Sequence, residues 1–334
     1  MITLPPTYQN ALKKIRFIDL FAGIGGFRYA MEYFGANCVF SSEWDNFAQE
    51  CYETNFGEKP EGDITKINEK DIPEHDFICA GFPCQAFSIS GHRKGFEDTR
   101  GTLFFDVARI ANYHQPKILL LENVKNLVKH DNGNTLKTIL NTLKEINYIP
   151  FYKVINSSLF GVPQRRERIY FVAFHKKLKI NSYNFPKGFD IHITLEDIID
   201  TNVPKELFIN RDDIHIYKNP IIEKDSMNHY PQRPLQIGKI NNGGQGERIY
   251  SSFGHAVTQA ATTGGPGGST GLYCISGKIR KLTPKESSRV QGFPEEFKPH
   301  ERNTQAWKQI GNSVAVNVLQ GIIKSIVDME IINL

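Results

Sequence analysis

Apolar and polar positions along the first half of the chain alternate in blocks that predict a repeating strand–helix order. Residues 8–14 have helical character and lead in. Short apolar runs at 15–21, 38–42, 76–80 and 117–121 predict buried strands, and the segments between them carry helical spacing at 28–34, 46–56, 102–113 and 135–146. Strands alternating with helices give an α/β class with a largely parallel sheet. Residues 152–156 and 168–174 alternate like antiparallel strands. The pattern then weakens: 183–240 is polar and rich in Pro and Asn, and 241–271 is rich in glycine. Periodicity returns at 281–297, where Thr283 as N-cap, Pro284 as first helical residue and Gly292 as stop predict a capped helix. The last apolar stretch, 315–327, predicts a helix too apolar to stand alone, so it should pack back on the first domain.

Composition narrows the class further. A chain of 334 residues with 40% hydrophobic and 23% charged residues can bury a core and form two domains. No apolar run approaches the roughly 20 residues that span a bilayer, and the N-terminus lacks the pattern of a secretory signal. Five cysteines without a CxxC pair argue against a disulfide framework and against a zinc site. The expected setting is a reducing cytoplasm, with no metal and no membrane. A net charge of +4 permits a polyanionic partner without requiring one.

The candidate chemistry sits at strand ends, where open α/β sheets bind ligands. Gly81-Phe82-Pro83-Cys84-Gln85-Ala86-Phe87-Ser88 puts a cysteine in a turn after a strand. It is either a nucleophilic thiol or a small apolar residue packed under the turn. The turn Phe21-Ala22-Gly23-Ile24-Gly25-Gly26 joins a strand to a helix, as nucleotide-binding units do. Glu43 ends the next strand, where a carboxylate grips a ribose diol, and Trp44 beside it could stack on a purine. Asp63 suits an exocyclic amino group, though alone it is an ordinary turn aspartate. Glu122 ends the fourth strand and faces the same crevice as Cys84. The basic run Gln164-Arg165-Arg166-Glu167-Arg168 is either a solvated turn or a substrate contact. In the glycine-rich region, Gln245 and Arg248 are types that bind base edges bidentately, on a backbone able to enter a groove.

These blocks, with Glu122-Asn123-Val124 and Gln309-Ile310-Gly311-Asn312-Ser313-Val314, occur in one order along 16–319. In that order the chain resembles the bacterial cytosine-5 DNA methyltransferases of restriction–modification systems. The resemblance is weakest at 175–235 and 253–275. It implies a Rossmann-like S-adenosylmethionine-dependent domain with a mostly parallel sheet, plus a smaller, mainly β target-recognition domain. The implied divisions are 1–192 (catalytic), 193–283 (target recognition), 284–311 (hinge) and 312–334 (a helix returning to the catalytic domain).

The resemblance assigns catalysis to Cys84, Glu122, Arg166 and Arg168. It assigns S-adenosylmethionine, and the product S-adenosylhomocysteine, to Phe21, Gly23, Gly25, Glu43, Trp44, Asp63, Ile64, Pro83, Leu103, Asn312 and Val314. DNA contacts fall to Ser90, Gln245, Arg248, Tyr250 and Thr258, with the loop 87–100 closing over a flipped cytosine. The intact block 243–251 implies a GCGC target modified at its inner cytosine, although threonine at 262 departs from the tyrosine of the pattern it otherwise follows. Implied partners are double-stranded DNA and a functionally paired endonuclease that the protein, a monomer, does not bind. Three other readings stand beside this one: an RNA cytosine-5 methyltransferase on the same domain, a DNA-binding protein without activity, and a nucleotide enzyme such as a dehydrogenase.

Overall fold

A computed structural model describes residues 2–83, 103–189, 191–218, 229–261 and 264–331. The expected alternation forms one six-stranded sheet. It runs β1 (Arg16–Leu20), α1 (Gly26–Tyr33), β2 (Asn37–Ser42), α2 (Asn46–Phe56), β3 (Phe77–Gly81), α3 (Leu103–His114), β4 (Ile118–Val124), α4 (Asn134–Glu145), β5 (Tyr148–Asn156) and β6 (Glu167–His175). The strand order is β2-β1-β3-β4-β6-β5. The first four strands pair in parallel, and β6 and β5 close one edge antiparallel. The chain leaves β1 for β2 on one side and returns to β3 on the other. The carboxyl ends of β1 and β3 therefore flank a topological switch point, where such sheets bind ligands.

Why these segments take these forms is local. The four inner residues of β1 and the first four of β3 are all buried, as strands covered on both faces must be. Asp45 caps α2, its Oδ1 accepting from the Phe47 and Ala48 amides at 3.0 and 3.3 Å, and Gly57 ends the helix at φ +74°. The lead-in differs from expectation. Residues 8–14 form no α-helix. A 3₁₀ turn at Pro6–Tyr8 continues into further turns in which the Ala11 and Lys13 amides reach back three residues while the Leu12 amide donates to the Phe34 carbonyl, too short a stretch to nucleate an α-helix.

A second, five-stranded sheet occupies the segment where the pattern weakened. It comprises β7 (Ile214–Ile216), β8 (Gln236–Ile240), β9 (Arg248–Ser251), β10 (Leu272–Ile275) and β11 (Lys278–Arg280), ordered β11-β10-β9-β8-β7. Short strands with small separate apolar clusters leave little periodicity to read. The capped helix α5 (Pro284–Val290) follows as predicted. Thr283 and Glu286 form a capping box, and Gly292 turns the chain at φ +80°. Glu286 also pairs with the guanidinium of Arg280 at 2.7 and 2.8 Å, both groups buried, which fastens β11 to α5.

The helix α6 (Asn303–Asn312) was not anticipated: its N-cap, Arg302, makes no capping hydrogen bond, so the sequence carries no start signal. After a break at Ser313–Ala315, α7 (Val316–Val327) packs against α1, burying Val318, Leu319, Ile322 and Ile326 in one core with Phe17, Phe27 and Met31. The stretch Asn303–Val327 is long and apolar enough to cross a membrane by length and composition, which the sequence reading did not register. It is instead two helices, and 72% of its apolar window is buried within the protein.

Candidate active site

At the switch point the chain leaves β1 through a strained turn. Phe21 has φ +55°, Gly23 +57° and Gly25 +81°, conformations costly for any residue with a Cβ. The turn holds its shape through Glu43 at the end of β2. One carboxylate oxygen accepts from the Gly23 amide at 2.8 Å and the other from the Asp45 amide at 2.9 Å. Burial pushes the Glu43 carboxyl up, and these amide bonds offset part of that shift. A carboxylate offers about four acceptor sites, so Glu43 keeps room to accept from a ligand.

A cavity of about 620 Å³ opens from this turn. It brings together ten of the eleven residues predicted to hold the cofactor: Phe21, Gly23, Glu43, Trp44, Asp63, Ile64, Pro83, Leu103, Asn312 and Val314. Trp44 is 73% exposed, so it is not a core aromatic. Asp63 caps a 3₁₀ turn through Thr65. Gly25 is the exception. It lies outside the cavity wall, where a Cβ would meet the Phe56 ring at 2.2 Å. Its demand comes from helix packing, not from a ligand. The acids and apolar walls fit S-adenosylmethionine: carboxylates for a diol and an amino group, apolar side chains for a purine, in a volume ordinary for a ligand pocket.

The same cavity continues to Glu122, Arg166 and Arg168. Parallel pairing sets Gly81 opposite Glu122, and antiparallel pairing sets Arg168 opposite Val124. Glu122 is buried, with Arg168 Nε 3.3 Å from its Oε1. Burial pushes the Glu122 carboxyl up by more than Arg168 and Arg166 pull it down. This end of the cavity therefore holds a carboxyl that keeps its proton more readily than an exposed glutamate.

Arg166 has a different office from Arg168. Its guanidinium donates to the backbone carbonyls of Gln259 (2.9 Å), Gly311 (3.0 Å) and Ser313 (2.7 Å). Burial lowers its pKa to about 9, with Arg168 adding to that shift. It ties the segment at Gln259 to the end of α6 and is a positioning residue. Only Arg165, in the basic run read as a possible solvated turn, is exposed among its arginines.

Sequence reasoning gave no role to two polar side chains that set this geometry. Asn123 Nδ2 donates to the Phe82 carbonyl at 2.8 Å, fixing the chain where it leaves β3. Gln164, buried, bonds Gln291 Oε1 and the Val290 carbonyl at 3.2 Å and accepts from the Gln259 amide at 3.0 Å. A buried glutamine inside a basic run gives no outward signal. Asn123 was visible beside Glu122, but its partner is a carbonyl from another strand.

Cys84, Ser90, Thr262 and the loop 87–100 lie outside the described residues. The other predicted DNA contacts do not line the cavity. Gln245 is exposed on a loop closed by Glu247, which accepts from the Gly244 amide and from Asn241, and Arg248 is exposed at the start of β9. Tyr250 is half-buried with its ring 6.1 Å from that of Tyr273, and the Thr258 hydroxyl donates to the Arg165 carbonyl at 2.6 Å.

Known proteins resemble this chain in both sequence and fold. The family model for C-5 cytosine-specific DNA methylases matches residues 15–328. The chain is 52% identical over 316 residues to the type II methyltransferase M.HhaI of Haemophilus parahaemolyticus, covering 94% of each. It is 46% identical over 334 residues to M.HpaII of Haemophilus parainfluenzae, covering 97% of this chain and 92% of that one. Among solved structures, DNMT2 of Spodoptera frugiperda shares the fold at a TM-score of 0.70 and 20% identity, over 93% of this chain and 99% of that one. The family model thus spans nearly the whole length, and the chain belongs to the C-5 cytosine-specific DNA methylase family, its enzyme class being that of a DNA (cytosine-5) methyltransferase.

Proposed function

We propose that the protein is the methyltransferase of a type II restriction–modification system, modifying the inner cytosine of GCGC in duplex DNA. One observation carries the reading. A single cavity joins the Gly23–Glu43 turn to the Glu122–Arg168 pair, so a cofactor and a base placed at its two ends would meet. S-adenosylmethionine, held by Glu43, Asp63 and the walls named above, supplies an electrophilic methyl group when bound.

C5 of cytosine is a weak nucleophile. Addition of the Cys84 thiolate to C6 converts the ring to an enamine whose C5 can attack. Glu122 in its protonated form donates to the ring at N3, and Arg168 holds the base carbonyl, so both act on charge that develops during addition. Loss of the C5 proton to water then lets the C5–C6 double bond re-form and expels the thiolate. None of this is reachable within a stacked duplex, so the cytosine is flipped out, as enzymes acting on bases require. Gln245 and Ser90 fill the vacated stack. Arg248, with Tyr250 and Thr258, contacts the surrounding DNA. The intact block 243–251 supports GCGC as the site.

On this reading residues 1–192 form the catalytic domain, 193–283 the target-recognition domain, 284–311 a hinge, and 312–334 the returning helix. The second sheet and the packing of α7 on α1 support that division. The protein acts as a monomer in the bacterial cytoplasm, paired in function with an endonuclease that it does not bind.

Transfer of tritiated methyl from S-adenosylmethionine to duplex DNA and to tRNA tests the reading. Label in GCGC-containing duplex alone is expected. Label confined to tRNA would replace it with an RNA methyltransferase.

A further inference from the structure

Asp45 and Lys308 meet at the cofactor end of the cavity from two distant parts of the chain. Asp45 uses Oδ1 to cap α2, which leaves Oδ2 to accept from Lys308 Nζ at 2.9 Å. Lys308 belongs to α6, 263 residues further on. Both residues line the cavity, and their side chains stay 27% and 42% exposed, so the pair sits at the rim and not on the floor. The helix that carries Lys308 runs directly into Ser313 and Val314, which also line the cavity. Among the described residues lining the cavity, the two other cations, Arg166 and Arg168, stand at the Glu122 end. Lys308 is thus the lining cation at the end that holds Glu43, Asp45 and Asp63.

We propose that the Lys308–Asp45 pair is a latch across the mouth of the cofactor cavity, a pair of positioning residues that slows release of S-adenosylmethionine and S-adenosylhomocysteine. The inference rests on the cofactor reading above. A ligand leaving between α2 and α6 must part the pair, and the pair holds the two walls at one separation. Because both groups are solvated, the effect is modest, about two- to fivefold on release. Because they are solvated, salt screens it. S-adenosylhomocysteine is a zwitterion without net charge near neutral pH, so salt has little other hold on its departure. The cap and the latch use different oxygens of Asp45, and asparagine keeps the capping oxygen while losing the charge.

Stopped-flow displacement of S-adenosylhomocysteine from the full chain, followed by tryptophan fluorescence, tests the latch in wild type, Lys308→Met, Asp45→Asn and the double variant. Release is expected to be two- to fivefold faster in each single variant and no faster in the double, the signature of one shared interaction. Wild-type release should rise toward the variant rate at about 0.5 M salt, while the variants stay level. Release from Lys308→Met at the wild-type rate, or an equal salt response in all four proteins, would overturn the latch and leave the cofactor reading intact. Absence of S-adenosylhomocysteine binding by the wild type would overturn both.

Discussion

Glu122 shows how far burial can set the chemistry of one residue. Its carboxyl is pushed above the ordinary carboxylate range although a guanidinium stands 3.3 Å away. The pH consequence has a definite sign. A carboxyl raised in the folded state favours folding at low pH, and that contribution is lost as pH rises through the raised value. Glu122→Gln, which is neutral at every pH, should therefore keep its melting temperature at pH 8 while methyl transfer falls by about 10²-fold or more. The wild-type rate should decline on the alkaline side as Glu122 loses its proton. Melts and pH–rate profiles of the two proteins check this, and a melting temperature that drops in the variant would contradict it.

Two buried histidines carry the opposite sign. Burial lowers His75 and His255 to about 4 from 6.5, so both stay neutral in the fold while the unfolded chain takes up protons. Stability is present above pH 6.5 and is lost as pH falls toward 4. Replacing each while keeping its hydrogen bond, as His75→Asn toward the Pro73 carbonyl and His255→Gln toward the Ile193 carbonyl, should flatten the acid limb by about one proton each. Urea unfolding between pH 4 and pH 7 reads that slope directly. At this scale the sequence showed which residues had the right chemistry, and the structure sets Arg168 3.3 Å from Glu122. The resemblance had Arg166 help fix the site and Arg168 hold the base carbonyl, without giving the means by which Arg166 does so. Only the positions of the Gln259, Gly311 and Ser313 carbonyls make the first a brace.

Elements with strong periodicity were legible, and elements defined by close approach were not. The helix at 46–56 coincides with its expected bounds because Asp45 and Gly57 mark both ends. The glycines of 243–268 announce a loop but not its partner. The Gly246 carbonyl accepts from the Gly267 amide at 2.7 Å, and a Cβ on Gly246, at φ +81°, would lie 2.0 Å from the Gly264 carbonyl oxygen. Two loops thus press backbone to backbone and hold Gln245 and Arg248 in place. Gly246→Ala should force them apart. Discrimination between GCGC and a one-base variant should fall by about 10-fold or more, with S-adenosylhomocysteine affinity unchanged. Filter binding for DNA and calorimetry for the cofactor separate the two effects, and a parallel loss of both would refute the loop assignment. α6 escaped notice for the same reason: Gly311 looks like a turn residue, yet it lets the helix sit against Ala260, whose backbone would lie 2.4 Å from an added Cβ.

For the whole molecule, the long-range closure of the chain decides where the site is. α7, at the end of the sequence, packs on α1 near its start. That return carries Asn312, Ser313 and Val314 to the cavity begun by Phe21 and Gly23. The apolar character of 315–327 made the return predictable, because such a helix needs a partner surface. The second sheet was less predictable, since its strands of three to five residues are stabilised by a few separate contacts and by the buried Arg280–Glu286 pair. The result is one crevice whose Gly23–Glu43 end is built from both ends of the chain and whose Glu122–Arg168 end comes from its middle. On the proposed function, this crevice transfers a methyl group to C5 of cytosine through Cys84. Bisulfite sequencing of plasmid DNA from cells expressing either the wild type or Cys84→Ser tests it most directly. Protection of the inner cytosine of GCGC is expected with the wild type and none with the variant. Unprotected cytosines with the wild type, or equal protection with Cys84→Ser, would contradict it.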